Sequence, residues 1–331
     1  MDKRLPICIT YVALMLLVVW SCSSTKKANV GEENIAHNQD AEKNIEQAPS
    51  TEGFVMPDIP LVITEPNERA KYLVEHFWEN FDFTNEKLIG RPEITEQGLV
   101  DYIGLMEYVD RDVFNRSLRN TVGLASKDSA MLEHFGHLFE KYFYDPNSPF
   151  RNEEAYISVL EELGKSKVLS VASKSRYEFQ LEMVKKNRVG NKANNFNYTL
   201  ASGQTLNLYD LKSEYTIIIF SNPGCPTCKG VMQQLNLSDP INKALSMNTP
   251  SRTMLTILTI YIDDNLDEWH SHLAELPTNW THAYDKDNKI SKNRLYDIKA
   301  IPTLYLLDKD KKVLQKDTSP NALESFFTVS I

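Results

Sequence analysis

The apolar run Thr216-Ile217-Ile218-Ile219-Phe220 leads within five residues to Cys225-Pro226-Thr227-Cys228, and a helix-compatible stretch follows from Lys229 to Leu235. A β-branched run of this kind reads as a buried strand. The chain therefore carries two thiols at the start of a helix that emerges from a buried strand. A helix start offers unpaired N–H groups and partial positive charge, and both favour a thiolate over a thiol. The thiolate is the attacking species in thiol–disulfide exchange, so this placement predicts a reactive dithiol.

The other cysteines narrow the reading. Of the four in the 331-residue chain, Cys8 lies inside an N-terminal apolar segment and Cys22 closes it. Only Cys225 and Cys228 remain for the folded part. A structural zinc site needs four ligands, and no second pair is present, so no metal is expected. A purely structural bridge would gain little from closing so short a loop. His134 and His137 stand three apart on one predicted helix but lack an evident third ligand. The aromatic stretch His76-Phe77-Trp78-Glu79-Asn80-Phe81-Asp82-Phe83 fits a core stripe. No histidine is assigned to catalysis.

Residues 1–22 read as an export signal, with Lys3 and Arg4 before an apolar core at 6–20. The core is short for a bilayer span of about 20 residues. Val19-Trp20-Ser21-Cys22 resembles the lipobox of bacterial lipoproteins, which implies acylation of Cys22; secretion after ordinary cleavage and an uncleaved anchor are the alternatives. Residues 23–57 are polar and poor in large apolar side chains, and they read as a flexible tether. The formal net charge of −9 supplies no basic patch for nucleic acid or anionic lipid. Membrane attachment therefore falls to lipid on Cys22.

The remainder divides into a helical part at 58–188 and an α/β part at 189–331. Helices are predicted from Glu65-Pro66-Asn67 through Phe81, then at 97–109, 111–124, 128–144, 153–163 and 174–186. In the second part, strands are predicted at 195–200, 216–221, 254–262, 280–284, 303–307 and 312–315. Helices are predicted after the dithiol and at 266–276, 291–296 and 321–327. This alternation argues for a central sheet with helices on both faces.

These residues resemble the thioredoxin superfamily. The resemblance rests on the strand–Cys225-Pro226-Thr227-Cys228–helix unit, on Ile301-Pro302-Thr303 opening a late strand after Tyr296-Asp297-Ile298, and on the hairpin through Leu306-Leu307-Asp308. The long interval between Cys228 and Pro302 looks like the TlpA/ResA branch. A lipoprotein signal, a helical domain and then this domain resemble Bacteroidetes lipoproteins with a DUF5106-type N-terminal domain. The resemblance implies an α/β thioredoxin-like fold, with a central mixed sheet and flanking helices, behind an all-α domain. It also implies a cis Pro302 facing the dithiol and an Ile301 backbone free to pair with an extended substrate.

In function it implies a thiol–disulfide oxidoreductase of the cell envelope facing the periplasm. Cys225 would attack and Cys228 would resolve, with Pro226 and Thr227 tuning the potential and Thr303 completing the proline loop. The partners implied are exported proteins bearing disulfides or dithiols and an envelope redox partner, with no cofactor and no nucleic acid. The chain departs from the thioredoxin pattern in three places. The strand before the dithiol lacks a buried acid, Gln233 replaces the helix-kinking proline, and Gly224 replaces the tryptophan before the first cysteine. A reductant is the favoured direction. A thiol peroxidase or a non-catalytic binding lipoprotein on the same scaffold are the rival readings.

Overall fold

A computed structural model describes residues 54–331; the expected signal segment, Cys22 and the expected tether up to residue 53 lie outside them. Six helices come first: α1 (Pro66–His76), α2 (Pro92–Gly104), α3 (Arg111–Ala125), α4 (Ser129–Phe143), α5 (Glu153–Lys165) and α6 (Val171–Val184). Their starts follow from local chemistry. Prolines open α1 and α2, where a missing N–H costs nothing. Side chains of Asp128, Asn152 and Ser170 cap α4, α5 and α6 by accepting N–H groups of their first turns. Phe135, Phe139 and Phe143 recur every four residues along α4 and are fully buried, so one face of that helix forms the centre of the core.

Two expectations change here. Helix α1 stops at His76 rather than running through Phe81, and residues 77–80 form turns. The Asp82 carboxylate accepts the Thr84 N–H at 3.0 Å, an Asx-type contact that favours a turn over a continuing helix. Phe77, Trp78, Phe81 and Phe83 still enter the core, as the aromatic pattern predicts. Phe54, placed in the tether by composition, packs its ring 5.3 Å from Phe77 and 5.2 Å from Trp78.

The second body is a seven-stranded mixed sheet in the order β2-β1-β5-β4-β3-β6-β7. Its strands are β1 (Asn197–Leu200), β2 (Thr205–Asn207), β3 (Tyr215–Ser221), β4 (Leu255–Tyr261), β5 (Thr281–Tyr284), β6 (Thr303–Asp308) and β7 (Val313–Lys316). Strands β3, β4 and β5 run parallel to one another; β6 is antiparallel to β3. The helices are α7 (Pro226–Leu237), α8 (Asp239–Ser246), α9 (Leu266–His272), α10 (Lys289–Lys292) and α11 (Pro320–Ser330). Ile217 and Ile219 face a core shared with Met232, Ile241 and Phe327 from α7, α8 and α11. Ile218 and Phe220 face the opposite core with Phe196, Ile290 and Tyr296. A strand covered on both faces is apolar along its centre, which accounts for the uninterrupted isoleucine run.

Helix α10 begins at Lys289 instead of residue 291, because the Asp285 carboxylate accepts N–H groups of Lys289 and Ile290 at 3.0 and 2.8 Å. It ends early because Arg294 takes a positive φ of 51°. Helix α8 and strand β2 carried no sequence expectation. Among the described residues, no helix is long and apolar enough to cross a membrane.

Candidate functional site: the dithiol at the head of a helix

Strand β3 ends at Ser221, and the next three residues turn the chain into α7. Asn222 shapes that turn. Its side-chain oxygen accepts the Gly224 N–H at 2.7 Å, its carbonyl accepts the Cys225 N–H at 3.1 Å, and its amide donates to Asp263 at 3.1 Å. Cys225 then takes the N-cap position in extended conformation, with Pro226 at the first helical position. The Cys225 sulfur does the work usually done by a serine or aspartate oxygen: it accepts the Cys228 N–H at 3.4 Å. Thr227 is exposed beside it.

The two thiols occupy unlike surroundings. Cys225 is partly exposed, and Cys228 is fully buried against the Ile217 face of the sheet. Burial raises the pKa of Cys225 somewhat, but hydrogen bonds from Cys228 and Thr227 outweigh it and hold the thiol below its ordinary value. Burial pushes Cys228 up to about 12, assisted by the nearby Cys225 sulfur and opposed only in part by the Asn222 backbone. One sulfur is thus prepared as a thiolate and its neighbour held as a thiol.

Opposite them lies the loop before β6. The Ile301–Pro302 peptide bond is cis, as the resemblance implies. The Ile301 carbonyl oxygen is 4.0 Å from Cys225 Sγ. Thr303 donates its hydroxyl to the Ala300 carbonyl at 2.6 Å and stands opposite Phe220 in the β3–β6 register, which ties the loop to the strand that carries the dithiol. The fold brings Cys225, Pro226, Thr227, Cys228, Ile301, Pro302 and Thr303 into one neighbourhood. Cys22 lies outside the described residues.

Sequence reading missed several participants. A shallow groove of about 90 Å³ adjoins the dithiol, lined by Pro223, Met232, Leu276 and Pro277, with Lys229 and Glu275 3.5 Å apart at its edge. Gly224, which replaces a tryptophan of the thioredoxin pattern, leaves room for Glu268; a β-carbon there would lie 2.5 Å from the Glu268 carboxylate. The Asn222-Pro223 pair was the available signal for the turn, since Asn-Pro favours turn initiation. Glu268 has no comparable local signature. Among the described residues no cluster of His, Cys, Asp or Glu has metal-binding geometry. His134 instead shares a hydrogen bond of 2.9 Å with Thr95, and His137 is exposed.

Known proteins resemble both parts of this chain. Residues 21–187 match the family model described as a domain of unknown function (DUF5106), and residues 213–313 match a thioredoxin-like model. The crystal structure of a thioredoxin-like protein from Bacteroides caccae ATCC 43185 is 41% identical, with a TM-score of 0.79 over 84% of this chain and 99% of that one. Thiol-disulfide oxidoreductase ResA of Bacillus cereus (strain ZK / E33L) is 27% identical over 131 residues, which are 40% of this chain and 70% of that protein. Nucleoredoxin of Homo sapiens is 26% identical over 115 residues, 35% of this chain but only 25% of that protein. With matches that run through both the helices and the sheet, the chain belongs to the DUF5106-bearing thioredoxin-like proteins.

Proposed function

We propose that this protein is a lipid-anchored thiol–disulfide oxidoreductase that faces the periplasm and reduces disulfides in exported proteins. The observation that carries the reading is the division of labour between the two sulfurs. Cys225 is accessible, caps α7 and is lowered in pKa, while Cys228 is buried one turn on and raised. A disulfide substrate needs one sulfur ready to attack and a second that waits.

The steps balance as follows. The Cys225 thiolate attacks one sulfur of a substrate disulfide, forming a mixed disulfide and releasing the other substrate sulfur as a thiolate. Cys228 loses its proton and attacks Cys225 Sγ, which forms the Cys225–Cys228 bond and frees the second substrate sulfur. The substrate gains two electrons from the protein and two protons, one given up by Cys228 and one taken from water, where Cys225 left its own on ionising. An envelope reductant then returns two electrons and two protons to the pair. The Ile301 carbonyl, close to the attacking sulfur, can accept a backbone N–H from an extended substrate segment and so align its disulfide.

Lipid on Cys22 would hold the protein at a membrane, and the polar stretch after it would give the folded part reach. Loss of membrane fractionation in a Cys22→Ser variant is the expected outcome for this part of the reading; unchanged fractionation contradicts it. For the activity, a Cys228→Ser variant leaves Cys225 without its resolving partner. It should accumulate mixed disulfides with exported proteins that dithiothreitol releases and that vanish when Cys225 is also replaced. No capture would contradict the oxidoreductase reading. Equilibration with glutathione tests direction: a potential above about −150 mV would exclude a reductant, because the reducing members lie near −270 mV.

A further inference from the structure

The loop that carries Ile301 is not held by the sheet alone. Residues 295–302 are outside helix and strand; Tyr296 packs against Phe220 and Tyr305 of the sheet, and strand pairing begins at Thr303. On the side away from the sheet the loop is fastened by the helical body. Glu153, the first residue of α5, places one carboxylate oxygen 2.5 Å from Lys299 Nζ and the other 2.7 Å from Lys316 Nζ at the end of β7. Lys299 also contacts Asp297 at 3.2 Å and Asp317 at 3.5 Å, and Arg151 reaches Asp317 at 2.8 Å. Tyr144 donates its hydroxyl to Asp297 at 3.2 Å, and its ring lies under Lys299 Nζ at 4.6 Å. Lys316 adds hydrogen bonds to the carbonyls of Val184 and Lys186.

These charges are shielded from water: the side chains of Lys299, Lys316 and Asp297 are 8%, 6% and 5% exposed. Exposed ion pairs contribute little and slide easily, whereas removal of one partner from a buried set strands an uncompensated charge. Among the described residues, Glu153 joins both lysines, one from the loop and one from the sheet. Lys299 is two residues from Ile301, so a chain at most about 7 Å long links the cluster to the carbonyl beside Cys225.

We infer that Glu153 and Lys299 are positioning residues: the helical body fixes the Ile301 loop against the dithiol and so sets how well an extended polypeptide disulfide is aligned. This rests on the reading of Cys225 and Ile301 as an exchange site. The helical body then acts as a brace for substrate alignment, and the sulfur chemistry stays with the thioredoxin-like body. A small disulfide with no peptide backbone makes no use of the loop and is indifferent to the brace.

The test compares wild type with Glu153→Gln on two substrates, insulin and dithiobis-nitrobenzoate, together with hydrogen exchange of the peptide covering 297–303. The substitution should raise KM for insulin about tenfold with kcat within about twofold. The rate with dithiobis-nitrobenzoate should stay within about twofold, and exchange at 297–301 should quicken while α7 is unchanged. Glu153→Asp, which keeps the charge on a shorter arm, should recover part of the insulin KM. If Glu153→Gln does not melt cooperatively, the same split between substrates read from Glu153→Asp decides. Unchanged loop exchange with unchanged insulin KM overturns the inference, as does a parallel loss on both substrates. A wild-type protein that reduces neither disulfide would refute the oxidoreductase reading instead, and loop exchange would still report on the brace.

Discussion

In the helical body two chains of buried hydroxyl and amide groups close on one another, although Trp78 Nε1 and Asn115 Oδ1 stay unpaired. The Tyr102 hydroxyl donates to Ser117 Oγ at 2.7 Å, and Ser117 in turn donates to the Val74 carbonyl at 2.7 Å. Tyr156 donates to Gln180 at 2.8 Å, and Gln180 donates to Glu140 at 2.6 Å. At the dithiol the pattern is different. Hydrogen bonds converge on Cys225, while Cys228 sits against Ile217 and Ile219 with no buried acid in the strand behind it. Closed pairing makes a scaffold, because each group in such a chain already has what water would have given it. Pairing that favours the charged form of one sulfur and the neutral form of the other decides which sulfur attacks and which waits.

That contrast can be broken from either side. The largest effect expected is on activity: Cys225→Ser should lower disulfide reduction at least about a thousandfold, with a thermal midpoint close to wild type. A large drop in midpoint alongside would mean that Cys225 belongs to the scaffold after all. On the helical side, Phe139→Ala removes a fully buried ring next to Phe143, 5.9 Å between centroids. Denaturant titration should show a loss of about 3–5 kcal/mol, and the folded fraction should alkylate at Cys225 at the wild-type rate. Slower alkylation in that fraction would tie the helical core to sulfur reactivity directly. The smallest effect is expected from Tyr102→Phe, which opens one closed pair and keeps the ring. It should cost about 1 kcal/mol by the same titration, and a neutral result would show that the chain of hydroxyls adds nothing.

How far the sequence could be read follows the same division. The strand–dithiol–helix unit was legible because strand, cysteine pair and helix are contiguous, and Pro302 was legible through its place before a late strand. The aromatic stripe at 77–83 was correctly assigned to the core but not to its backbone, because turns can bury rings at helix-like spacing as well as a helix does. Helix α8 was hidden by Ser238-Asp239-Pro240, a triplet that reads as a turn and in fact opens a helix with the proline in its first turn. The Glu153–Lys299 pair joins residues 146 positions apart and leaves no local pattern. Contacts of that kind depend on how two bodies pack, and periodicity carries no trace of them.

The central claim is that the fold separates the two thiols in acidity. Alkylation of the reduced protein by iodoacetamide over a range of pH, with each cysteine followed by peptide mass mapping, measures this directly. The account predicts that Cys225 reacts with a midpoint below the ordinary cysteine value of about 8.5, while Cys228 stays unmodified until far more alkaline pH. Equal midpoints near the ordinary value for both residues would contradict it.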